Sequence, residues 1–97
     1  MAKREIVWTA KAQSERKAIL AYWINRNKSK NYSIKLNQLF IDAIRKIAAL
    51  PTIGKKTDYD EHVRLKIVRN YLLFYEFNAN QIIILSIWDT NRDTRRE

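Results

Sequence analysis

Cysteine is absent from this chain of 97 residues, and glycine, proline and histidine occur once each. Without cysteine there is no disulfide framework, no thiolate-held zinc or iron–sulfur cluster and no thiol nucleophile. A single histidine, His62, removes the basis for a histidine-rich metal site. One glycine, Gly54, builds no phosphate-cradling loop. Neither a Ser-His-Asp arrangement nor a metal-ligand spacing can be assembled, so a hydrolase of conventional type is not expected. Long apolar runs are also missing: the longest, residues 18–24, and the run at residues 71–75 are far short of the ~20 residues of a membrane helix. No charged-then-apolar leader opens the sequence, and we expect a small, soluble, cytoplasmic protein with a single domain over residues 1–97.

What is present is positive charge and enough apolar matter to fold. Apolar residues make up 46% of the chain, which separates it from disordered and low-complexity sequences. Nineteen Lys and Arg oppose ten Asp and Glu, a formal charge of +9. The excess is uneven: residues 1–50 carry eleven cations against three acids, and residues 51–97 eight against seven. Between Arg16 and Ile41 no acid occurs, while Arg16, Lys17, Arg26, Lys28, Lys30 and Lys35 accumulate. Such a segment favours phosphates or an acidic protein as neighbour, or simply solvates a helix pair.

Ile6-Val7-Trp8 reads as a short strand, stopped by Thr9, a suitable N-cap for a helix from Ala10 to about Asn27. Residues 27–31 form a short polar connection. A second helix follows, capped by Ser33, with Leu36, Phe40, Ala43, Ile47 and Leu50 at intervals of four and three and Leu39 and Ile44 beside them. Pro51 ends it, and residues 52–61 read as a loop. In residues 63–67, Val63, Leu65 and Ile67 alternate with Arg64 and Lys66, predicting a strand with one buried face. Arg69-Asn70 is a tight turn, residues 71–77 an aromatic-rich strand, residues 78–80 a second turn and residues 81–88 a β-branched strand. The expected fold is α+β: an N-terminal strand and helical hairpin packed on a small antiparallel β-sheet, in the order β-α-α-β-β-β.

Simple hairpin registers put Leu72, Phe74, Glu76, Ile84, Ser86 and Trp88 on the same sheet face as Arg64 and Lys66. That aromatic and basic face has no partner in the chain, the mark of a binding surface. Arg64, Lys66 and Arg69 are its candidate phosphate contacts, and Tyr71, Tyr75 and Trp88 its candidate stacking platforms. Arg92, beyond the last strand, is a further candidate, held by Asp89 or part of a polar terminus. His62 alone has an unperturbed pKa near neutrality, although it reads equally as a loop-edge residue. No catalytic residue, cofactor or metal is assigned.

The element order and three stretches, residues 63–67, 70–77 and 82–89, resemble the RelE/ParE superfamily of toxins from bacterial type II toxin–antitoxin (plasmid stabilisation) systems. The resemblance spans essentially the whole chain. It implies a toxin that arrests growth until a cognate antitoxin wraps it. RelE-like members are metal-independent endoribonucleases that cut mRNA on the ribosome, whereas ParE-like members inhibit DNA gyrase and are not enzymes. Arg64 and Lys66 match two basic positions of the RelE-like members. Leu72 and Thr90 stand where those members carry basic residues, and no Tyr follows the last strand. These departures favour gyrase inhibition, with mRNA cleavage or a non-toxic binding module of the same fold as alternatives.

Overall fold

The computed structural model describes residues 4–58 and 60–90 of the chain. Thr9, in extended conformation, accepts the amide of Ala12 and starts α1 (Ala10–Asn27) at the end of β1 (Glu5–Trp8). The same hydroxyl donates to Ile84 O at 2.8 Å, fastening the helix start to the sheet. After the Lys28–Lys30 connection, α2 (Asn31–Ala49) returns antiparallel to α1. Its N-cap is Lys30, with no side-chain cap; Ser33 lies inside the helix and its hydroxyl donates to Leu20 O of α1. The expected Ser33 cap is therefore corrected: a buried hydroxyl finds its acceptor across the helix pair instead.

Residues 52–61, read as a loop, hold two small elements. Pro51 begins a single 3₁₀ turn, Pro51–Ile53, and Lys55–Lys56 form a two-residue strand, β2. Strands β3 (Arg64–Val68), β4 (Tyr71–Phe77) and β5 (Gln81–Asp89) follow. The sheet order is β1-β5-β4-β3-β2, with β1 parallel to β5 and the remaining pairs antiparallel. The sheet is thus mixed rather than purely antiparallel. Both helices and three strands lie between β1 and β5, so no tight turn joins them and the chain is free to pair them in parallel.

Leu36, Phe40, Ala43, Ile44, Ile47 and Ala48 of α2 bury against Val68, Tyr71, Leu73, Tyr75, Ile82, Ile84 and Ile87 of the sheet. Each fully buried large chain contributes about 1.5–3 kcal/mol. From α1 only Ala12 and Ile19 are buried, with Leu20 and Trp23 packed against the cluster. That thin contribution matches the untidy apolar spacing of its sequence. Leu50, counted in the apolar stripe of α2, falls after the helix and is exposed.

Candidate functional site

The β3–β4 register decides which side chains share a surface. Arg64 lies opposite Tyr75, Lys66 opposite Leu73 and Val68 opposite Tyr71, whereas Leu65 lies opposite Phe74 and Ile67 opposite Leu72. Cross-strand partners point to one face. Arg64 and Lys66 therefore share the helix-facing side with Tyr71, Leu73 and Tyr75, and the expected grouping with Leu72, Phe74 and Glu76 is overturned. So is the expected burial of Ile67, which is 63% exposed, while Val68 is buried. The cause lies in the position of β3, which only the two residues of β2 separate from the sheet's edge. There an Arg or Lys can lay its aliphatic stem on the inner face and keep its head near solvent. Ile84, expected on the face of Ser86 and Trp88, is fully buried in the core. A register shift between Phe74 and Tyr75 brings Ile84 opposite Tyr75.

On the inner side, Tyr75 is fully buried and its hydroxyl is used twice. It donates to Pro51 O at 2.6 Å and accepts from the amide of Gly54 at 2.9 Å. The Arg64 guanidinium closes the same loop, donating to Gly54 O at 2.8 Å and Thr52 O at 3.3 Å. Gly54 has an ordinary negative φ of −75°, so its role is space. A Cβ there would lie 2.7 Å from Cε1 of the Tyr75 ring. Burial pushes the Tyr75 phenol upward, against the opposing Gly54 hydrogen bond and Arg64 charge. The group stays protonated at neutral pH and braces the 3₁₀ turn.

Tyr71 is similarly engaged. Its hydroxyl accepts from Trp23 Nε1 at 2.7 Å, and its ring meets Phe40 edge to face at 5.7 Å. Burial is again the largest influence, raising its pKa against the Trp23 hydrogen bond, with Asp89 raising it further. Tyr71 and Tyr75, read as stacking candidates, are buried parts of the helix–sheet contact. Trp88 sits on the opposite, outer face, 40% exposed, and packs on Phe74 with ring centroids 4.8 Å apart.

Leu72 lies opposite Trp88 as well as Ile67, so Ile67, Leu72 and Trp88 form one row across three strands of the outer face. Leu65 and Phe74 lie in the next row, and Val7 and Ile83 continue the face across β1 and β5. The outer face is largely apolar, with Glu5, Glu76 and Lys55 as its charges, rather than aromatic and basic. Leu72 was expected on the uncovered face, but Ile67 was missed as a surface candidate because alternation alone gives a strand two faces without saying which one meets the helices.

Of the remaining candidates, Arg69 is exposed in the β3–β4 turn and Lys66 is half-buried on the inner face of β3. Arg92 lies outside the described residues. His62 is exposed; its amide donates to Asp60 Oδ1 and its ring lies 3.6 Å from the Glu61 carboxylate. Among the described residues no group of three or more His, Cys, Asp or Glu could hold a metal ion, and no helix is long and apolar enough to cross a membrane.

A family model described as the ParE toxin of type II toxin-antitoxin system, parDE, matches residues 6–94. No curated protein matches the chain in sequence. Among solved structures, the fold is similar to a chain described as the chromosomal ParDE TA system from P. aeruginosa. The TM-score is 0.72 at 17% identity, over 88% of this chain and 94% of that one, so the likeness is one of fold. The family match takes in every strand and both helices apart from the first residue of β1, and on that ground the chain belongs to the ParE toxin family of type II toxin–antitoxin systems.

Proposed function

We propose that this chain is a single-domain cytoplasmic toxin that arrests growth by binding and inhibiting DNA gyrase, and that a cognate antitoxin neutralises it. One observation carries the choice of gyrase over RNA cleavage. Three groups that a metal-free nuclease of this fold could use for proton transfer and phosphate contact, Tyr71, Tyr75 and Arg64, are engaged in holding the fold together, which leaves Lys66 as the matched cation outside that bracing. Tyr75 Oη and Arg64 Nη1 both brace residues 51–54, and Tyr71 Oη is bound to Trp23. Cleavage through the ribose 2′-hydroxyl needs a group free to move a proton and a cation free to follow the developing charge. The buried phenols, held protonated, are poor bases at neutral pH. Inhibition by binding asks only for a surface, and the half-exposed row of Ile67, Leu72 and Trp88 supplies apolar area for a protein partner.

The test is a supercoiling assay with purified gyrase, run beside a translation assay with purified ribosomes and mRNA. Loss of supercoiling with intact mRNA is the expected result. Cleaved mRNA with unaffected supercoiling would overturn the proposal in favour of a RelE-like nuclease.

A further inference from the structure

Two described non-glycine residues take positive φ: Lys28, at 54°, and Arg69, at 58°. A left-handed conformation is unfavourable for a residue with a Cβ and is ordinarily given to Gly or Asn. Both positions carry an exposed long cation instead. Lys28 is the left-handed C-cap of α1, its amide donating to Ile24 O, and Arg69 lies in the tight β3–β4 turn, so each cation is set on a fixed turn of the backbone.

The two positions lie at one end of the molecule. Helix α1 starts at Ile84, where Thr9 is bonded, passes Ile87 at Glu15 and reaches Tyr71 at Trp23. It therefore runs along β5 in the same direction. Its C-terminus, with the hairpin turn at Lys28, arrives at the end of the sheet where Arg69 and Asn70 join β3 to β4. Arg26 and Lys30 flank Lys28 and are also exposed. The two ion pairs among the described residues, Lys11–Glu15 and Glu61–His62, involve none of these four cations. The first turn of α2 has no acid, and its positive dipole end offsets the negative end of α1 at the same turn. The acid nearest by register is Asp89, opposite Tyr71.

We propose that this end of the molecule, carrying Arg26, Lys28, Lys30 and Arg69, binds the phosphodiester backbone of duplex DNA. Phosphates are bound chiefly through charge, and cations on two separate turns suit the two rims of a groove. A protein interface would need an apolar centre. Here the large apolar side chains exposed on the adjoining helices are Tyr22, at 49%, and Ile34, at 65%, and the broader apolar surface lies on the outer sheet face. The proposal goes beyond the gyrase reading and does not depend on it, since inhibition of supercoiling can persist whatever this end binds.

The test is fluorescence anisotropy of a labelled 20-bp duplex between 50 and 200 mM salt, a range chosen because phosphate contacts weaken steeply across it. The triple variant Arg26→Gln, Lys28→Gln, Arg69→Gln should bind at least about tenfold more weakly, its log–log salt slope shallower by about 0.9 for each phosphate no longer neutralised. The matched triple Lys46→Gln, Lys55→Gln, Lys56→Gln removes equal charge towards the other end of the sheet and should leave the slope unchanged. A third variant, Lys28→Gly with Arg69→Gly, suits the left-handed backbone, so its weaker binding cannot come from unfolding. Equal losses in the two triples would reduce the effect to net charge and overturn the proposal. It would also fail if wild type showed no binding at 50 mM salt, if polyglutamate competed as well as the duplex, or if single-stranded DNA bound more tightly.

Discussion

Tyr75 shows how one side chain can be misjudged from sequence and still be decisive. A tyrosine in a β-prone run beside a basic strand suggests a stacking platform, yet its hydroxyl closes a buried loop between Pro51 and Gly54. Tyr75→Phe would leave a carbonyl and an amide unpaired in a buried place, a cost of about 1–3 kcal/mol for each group that water cannot reach. We expect urea denaturation to show a loss of that order, with Arg64 no longer held against a fixed turn. A variant as stable as wild type would mean that the brace is incidental. The chain's only glycine, three residues after its only proline, was the available signal that this turn is special, but nothing in the sequence names the ring that Gly54 makes room for.

At the scale of elements, β5 is the strand with the least conventional neighbour. β1 pairs with it over Gln81–Ile84, and then the chain turns into α1. Beyond that point the Glu15 carboxylate takes over, accepting from the Ile87 amide at 3.0 Å and from the Ser86 hydroxyl at 2.9 Å. Lys11 donates to Glu15 at 2.6 Å and to Ser86 at 3.1 Å. A helical side chain thus satisfies a sheet edge that would otherwise present unpaired amides to another strand. Burial pushes the Glu15 carboxyl upward, but the hydrogen bonds from Lys11, Ile87 and Ser86 and the Lys11 charge together leave it below the ordinary glutamate value.

The sign follows from linkage. A lowered folded value stabilises the fold above the unfolded pKa, and that stabilisation is lost as pH falls through the folded value. Glu15→Ala should therefore cost about 1–2 kcal/mol at pH 7, with the gap to wild type narrowing at pH 3. Urea titrations at both pH values check this, and a gap that does not change with pH would assign the effect to packing alone. The other sheet edge is guarded differently, by the two-residue strand Lys55–Lys56, whose length and charge both discourage strand addition.

Across the whole described molecule one apolar cluster joins both helices to β3, β4 and β5. Trp23 sits in that joint, bonded to Tyr71 and ringed by Tyr22 and Tyr32. Helix content and helix–sheet docking should therefore be lost together. Far-UV circular dichroism and tryptophan fluorescence are expected to give coincident denaturation curves, and separated midpoints would show that the hairpin unfolds on its own.

The local periodicities determined the elements: a helix over residues 10–27, a second between Ser33 and Pro51, strands from about residue 63 onward, and the turns at Arg69-Asn70 and residues 78–80. Local preference acts within a few residues, so the sequence carries it whole. The family resemblance was legible for the same reason, in the order of those elements. Only the tertiary structure decided which face of each strand meets the helices. A one-residue change of register inverts that choice without altering any local preference. It placed Arg64 and Lys66 with the buried tyrosines, left Ile67 and Trp88 outward, and set β1 parallel to β5. The uneven positive charge could be counted from the sequence, but bringing Lys28 and Arg69 to one end required α1 to lie along β5. That arrangement is fixed by contacts between residues nearly fifty positions apart, Trp23 and Tyr71 above all, which no local pattern encodes.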